Sequence, residues 1–284
     1  VSAIRPLLRT HQAQRDDIGD LVTRRPVPGP AIQHLDPFLF LNHHGPQVYP
    51  PHNRGLPFGP HPHRGFETVT FILKGELAHR DSGGHESVIH AGGVQWMTAG
   101  SGLVHAELSP AAFMEAGGPL EILQLWVNLP ARLKMTAPAY VGLEAGDIPI
   151  VPSPDGKARV ELISGGYEGV TGPVAPLADI ALMLIRLDAG ARLELPVATG
   201  RAVFLYTVES PARVGGQPVP EHALAELGGG DIVLIEADAP AVILFGHGPP
   251  FREPIVAHGP FVMNTREEIV EAIQDYQAGR LGGL

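Results

Sequence analysis

Between Phe66 and Glu107 no run longer than Phe66–Lys74 passes without a glycine, which weighs against long helices and favours short strands joined by turns. The runs agree. Phe-Glu-Thr-Val-Thr-Phe-Ile-Leu from Phe66 is aromatic and β-branched and ends at Lys74-Gly75-Glu76. Leu77 to Asp81 leads into Ser82-Gly83-Gly84, Glu86 to His90 precedes Ala91-Gly92-Gly93, and Val94 to Thr98 runs up to Gly100-Ser101-Gly102. A meander of this kind closes naturally into an antiparallel barrel or sandwich, because closure removes exposed strand edges. The whole chain shares the habit, with 35 Gly and 29 Pro scattered without a repeat.

At the two ends of that meander stand His61-Pro62-His63 and His105-Ala106-Glu107. Side chains alternate across a strand, so His61 and His63 share a face, and His105 and Glu107 share a face on another strand. Two such pairs can meet around one metal ion. Three neutral imidazoles and a carboxylate suit a divalent first-row metal, iron first, and six-coordination would leave two positions for water, oxygen or substrate. His43, His44 and His52 lie in a stretch dense in Pro and Gly and read as surface or hydrogen-bonding residues. Gln124 and Trp126 share a face of the apolar run Ile122 to Leu129. With Phe58 they are candidate lining residues of a pocket, although Trp126 also suits a plain core role.

At 284 residues the chain exceeds a typical single domain of about 100–200 residues, so two domains are expected. Residues 130–154 are rich in Pro, Gly and Ala and read as a linker or crossover, placing a metal-binding domain at 1–135 and a second domain at 136–284. A second strand series follows, at 158–164, 180–187, 202–208, 231–236 and 241–245. Its histidines, His222, His247 and His258, form no His-x-His pair and have no carboxylate two residues away, so no second metal is expected there. Thr265-Arg266-Glu267-Glu268 fits a capping box, and Ile269, Val270, Ile273 and Tyr276 recur at helical spacing before Gly279. One C-terminal helix of about three turns is expected to pack on a barrel.

A formal charge of −10 gives no electrostatic reason to bind nucleic acid. The absence of cysteine excludes a disulfide scaffold, a thiolate nucleophile and a Cys-ligated cluster. No stretch approaches the ~18 apolar residues of a membrane span, and no basic segment with an apolar run opens the chain, so a soluble cytoplasmic protein is expected. No nucleophile-elbow, P-loop or dinucleotide fingerprint is present. Zinc accepts the same ligand types, which leaves a zinc hydrolase open on the residues alone.

The runs HPHRGFETVTFILKGELAHRDSGG from His61, GGVQWMTAGSGLVHAE from Gly92 and GPFVMNTREEIVEAIQDYQAGRLG from Gly259 together resemble the pirin family of the cupin superfamily. The resemblance runs from about Arg24 to Leu281. It implies an all-β bicupin, two tandem double-stranded β-helix barrels with a short C-terminal helix, and iron in the N-terminal barrel at His61, His63, His105 and Glu107. Cupins in general often take the carboxylate from the first motif, here Glu67. The pirin pattern uses Glu107, and a bulge at Gly65 would turn Glu67 away. Two functions follow from the resemblance. One is a quercetin 2,3-dioxygenase type of oxidoreductase, which opens a flavonol ring with O2; on chemical grounds Glu107 is the candidate base for the substrate's proton. The other is an iron-containing regulator that acts on a protein partner.

Overall fold

The computed structural model describes residues 2–284, and its regular structure is mostly strand. The meander forms where the sequence places it, as the strands Phe66–Lys74, Glu76–Asp81, Glu86–His90, Val94–Thr98 and Leu103–Leu108, all paired antiparallel. They divide between two sheets. One runs in the order Phe58–His63, Leu103–Leu108, Glu76–Asp81, Glu86–His90. In the other, Ala139–Leu143, Val94–Thr98, Phe66–Lys74, Gly118–Asn128 and Phe38–Tyr49 lie side by side.

Proline explains where Phe58–His63 sits. Pro60 and Pro62 have no N–H to give a ladder, so a strand that carries both is tolerated at a sheet edge, and that is its place. Its pairing sets His61 directly across from His105. A register shift between His105 and Glu107 then brings Glu107 opposite Phe58.

Sequence puts a single boundary between 135 and 136, whereas packing interleaves two compact units. One comprises the chain up to Gln14, Arg24–Phe38 and Asp147–Pro250; the other comprises Arg15–Thr23, Leu39–Gly146 and Phe251–Leu284. The C-terminal helix, expected within the second domain, therefore belongs to the unit that carries His61. It spans Arg266–Gln277 and has the full capping box: Thr265 Oγ1 accepts from Glu268 N, and Glu268 reaches back to the Thr265 amide. Its buried Ile269 and Ala272 pack with Phe261, Met263 and Val104.

The other unit has a seven-stranded sheet from Leu7–Gln12 to Ile150–Pro152 and a four-stranded sheet. Its interior is apolar, filled by side chains such as Leu162, Met183, Ile185, Leu205, Ile243 and Phe245. The strand Leu7–Gln12, in a stretch where sequence offered no element, gains its pairing from Ala223–Leu227. Residues 43–49, at the start of the stretch dense in Pro and Gly, continue the strand Phe38–Tyr49. Segment 130–154, read as a linker or crossover, holds the strands Ala139–Leu143 and Ile150–Pro152. No helix among the described residues is long and apolar enough to cross a membrane.

Lys134 sits among the largest fully buried side chains. Its Nζ donates to Gly65 O at 2.8 Å, Asn128 Oδ1 at 2.7 Å and Val262 O at 3.0 Å. Burial pulls its pKa down to about 8. Replacing it with Met strips three buried acceptors of their donor and is expected to cost about 3 kcal/mol in urea unfolding. The sign of the pH effect follows from the lowered pKa. Between about 8 and 10.5 the unfolded chain holds the proton that the folded one has lost. The wild type's advantage over Lys134→Met therefore grows as pH rises through that window.

Candidate metal centre

His61, His63 and His105 converge. One ring nitrogen from each lies within 4.8 Å of the others, and the ring centroids are 4.4 to 4.9 Å apart. His63 and His105 are buried and His61 is half-buried, so the cluster is not aimed at bulk solvent. Two tautomers are set by carbonyls, which can only accept. His61 Nδ1 donates to Gly59 O at 2.7 Å and His63 Nδ1 to Pro260 O at 3.1 Å, which leaves each Nε2 with its lone pair. His61 Nε2 faces His105 Nε2 at 2.9 Å. Two lone pairs so close repel unless a proton or a cation lies between them. Metal–imidazole bonds of about 2.1 Å at a right angle put the two nitrogens about 3.0 Å apart, so the spacing suits neighbouring ligands on one ion.

Electrostatics favours the same use. Burial, with the neighbouring imidazole of His61, holds the His63 pKa down to about 3. Burial also lowers His105 well below its ordinary value, helped by His63, His61 and His79. Both rings are neutral at physiological pH, the state in which imidazole binds a metal. These three imidazoles can hold a metal ion.

Glu107 is buried on the same strand, with a carboxylate oxygen 4.0 Å from His105 Nε2. Gln124 Nε2 donates to both of its oxygens, at 2.9 and 2.8 Å, and Thr70 Oγ1 donates at 3.2 Å. Trp126 Nε1 in turn donates to Gln124 Oε1 at 3.3 Å. The shared face of Gln124 and Trp126 thus points into the site.

Glu67 is elsewhere. The chain leaves one sheet at His63 and enters the other at Phe66, turning through Gly65 at φ +92°. Alternation is broken at this corner and restarts with Thr70 facing Glu107, which puts Glu67 on the opposite face of its strand. There it accepts from Thr98 Oγ1 at 2.6 Å, and burial pushes its pKa up.

His43 and His44 are hydrogen-bonding residues as expected, but buried rather than on the surface. His43 meets Glu121 at 3.0 Å, and His44 meets Thr23 at 2.9 Å and packs against Phe58. Sequence reasoning missed His79. It lies directly across from Glu107, its ring is 5.6 Å from that of His105, and its Nε2 is 2.9 Å from Asp81 Oδ2. The signal was the spacing His79-Arg80-Asp81, which puts both side chains on one face. Beside Glu107 the cavity lined by His44, Leu56, Phe58, Thr70, Leu77, Ile122 and Gln124 measures about 10 Å³, room for roughly one water.

Comparison with known proteins agrees with this architecture. The family model described as Pirin matches residues 20–127, and that of the pirin C-terminal cupin domain matches 182–282. A pirin-like protein of Caulobacter vibrioides is 42% identical, covering 98% of this chain and 99% of its own. Pirin of Homo sapiens is 39% identical over 95% of this chain and 90% of its own. The crystal structure of quercetin 2,3-dioxygenase from Acinetobacter baumannii superposes with a TM-score of 0.93 at 34% identity, covering 99% of each chain. With both family models matched in order and relatives of nearly full length in bacteria and mammals, the chain belongs to the pirin family.

Proposed function

We propose that His61, His63, His105 and Glu107 together hold one iron ion, and that the protein is an oxidoreductase of the quercetin 2,3-dioxygenase type that opens a flavonol ring with O2. The observation that carries this is the donor set: three converging imidazoles, His61 and His105 of them at cis-ligand spacing, beside a carboxylate that the protein already anchors. Bound there, iron would supply a Lewis acid for a deprotonated hydroxyl and a redox partner for oxygen. The chain's own residues do the rest. Glu107 is the carboxylate beside the histidines and receives the flavonol hydroxyl proton on one oxygen. Gln124 and Thr70 fix that carboxylate, and Trp126 fixes Gln124. The buried walls, Leu77 and Ile122 among them, keep water from competing.

Aerobic assay of the iron-loaded protein with quercetin tests the proposal. Turnover is expected, with His61→Ala losing it and Glu107→Gln lowering kcat about 100-fold. One observation favours a second function. A three-ring ligand needs a pocket of about 300 Å³ or more, far above the 10 Å³ beside Glu107, so Phe58 and its neighbours must move to admit it. Iron-loaded protein that neither turns over nor binds quercetin would sink the dioxygenase and leave a regulator that presents its metal state to a protein partner.

A further inference from the structure

His63 and Arg64, at the end of the His61 strand, are both held by chain that arrives about two hundred positions later. The Pro260 carbonyl accepts from His63 Nδ1 at 3.1 Å, and Val262 N donates to Arg64 O at 3.1 Å. The Arg64 guanidinium donates through Nη2 to Asp275 on the C-terminal helix at 2.8 Å, and through Nε to Ser101 O at 2.7 Å. It therefore ties that helix to the turn before the His105 strand. A second tie lies on that strand: Ser82 Oγ donates to Leu281 O at 2.8 Å and accepts from Val104 N, one residue before His105, at 3.0 Å. The Arg64 and Asp275 side chains are only 5% and 14% exposed, so their pairing is less screened than that of a surface ion pair.

We propose that Pro260, directly, and Asp275, through Arg64, are positioning residues for the metal centre: the C-terminal hairpin and helix orient His63 Nε2 towards the ion, and their docking sets the site's affinity. This rests on the histidines being the metal site. An imidazole turns freely about its side-chain bonds, and a carbonyl on Nδ1 fixes both its plane and its tautomer. Groups that orient ligands in this way change metal affinity about 10- to 100-fold when removed. Linkage makes the coupling reciprocal, so a metal that binds more tightly to the docked form must itself tighten the docking.

Cobalt(II) serves as the probe, titrated into the full chain and followed by its absorption and by competition with a chelator. Asp275→Ala is expected to weaken cobalt binding 10- to 100-fold, with Asp275→Glu recovering part of it. Arg280→Ala, which removes the exposed partner of the same carboxylate, is expected to leave it unchanged. In the wild type, cobalt is expected to slow hydrogen exchange at the Val262 amide, a readout that needs no variant and decides the matter if Asp275→Ala fails to fold. Cobalt binding that His61→Ala abolishes, but that Asp275→Ala leaves at wild-type strength, overturns the proposal. So does an unchanged Val262 exchange rate. Wild-type protein that takes up no cobalt overturns the histidine site itself.

Discussion

His105→Ala is expected to abolish metal binding while leaving the fold intact. His105 is the only one of the three clustered histidines on its strand, and without it the site keeps only two imidazoles, both from a single edge strand, beside the Glu107 carboxylate. Its Nδ1 has no hydrogen-bond partner, so alanine leaves no partner of that atom unsatisfied. The metal-free variant should therefore melt close to the metal-free wild type. The difference emerges on adding metal. An ion at 100 times its Kd stabilises the folded state by about 2.7 kcal/mol, and that gain should vanish in the variant. Metal analysis of protein purified without added metal, together with melting curves with and without iron(II), checks both halves. A variant that keeps the metal-induced rise in Tm would show that the ion binds elsewhere.

Gly65→Ala is expected to be strongly destabilising. A Cβ at Gly65 would stand 2.0 Å from Val262 O and 2.8 Å from Met263 Sδ, on a backbone at φ +92°. A side chain in that region of backbone space costs about 1–3 kcal/mol, and forcing the C-terminal hairpin away from the corner costs about as much again. A loss of about 4 kcal/mol is expected in urea unfolding. Gly59→Ala, a few residues earlier, meets nothing within 4 Å and should change stability by less than about 0.5 kcal/mol. Equal effects at the two positions would remove the close approach of Val262 as the cause.

These two positions also show where sequence reasoning stops. The pairs His61/His63 and His105/Glu107 could be read because period-two alternation is a property of the local backbone, and each pair lies within one strand. The capping box at Thr265 and Glu268 could be read for the same reason, since its atoms are three residues apart. Glu67 was ambiguous. Its face depends on what the chain does at Gly65, and a glycine permits a bulge as readily as a corner between two sheets. Gln124 and Trp126 could be placed on one face, but that face could point inward or serve only as core until Glu107 was seen to accept from Gln124. His79 and Asp81 carried the same alternation signal as the other pairs and gained a role only through the pairing of Glu107 with His79.

Sequence alone determined the strand-rich class, the histidine pairs and the capped helix, because turn chemistry, side-chain alternation and end-capping act over a few residues. Tertiary structure alone decided that the last thirty or so residues return to the His61 unit, that Pro260 holds His63, and that the cavity beside Glu107 measures only about 10 Å³. Each of those joins groups far apart along the chain. Such contacts depend on how whole sheets and a hairpin pack, and no local pattern of residues encodes that.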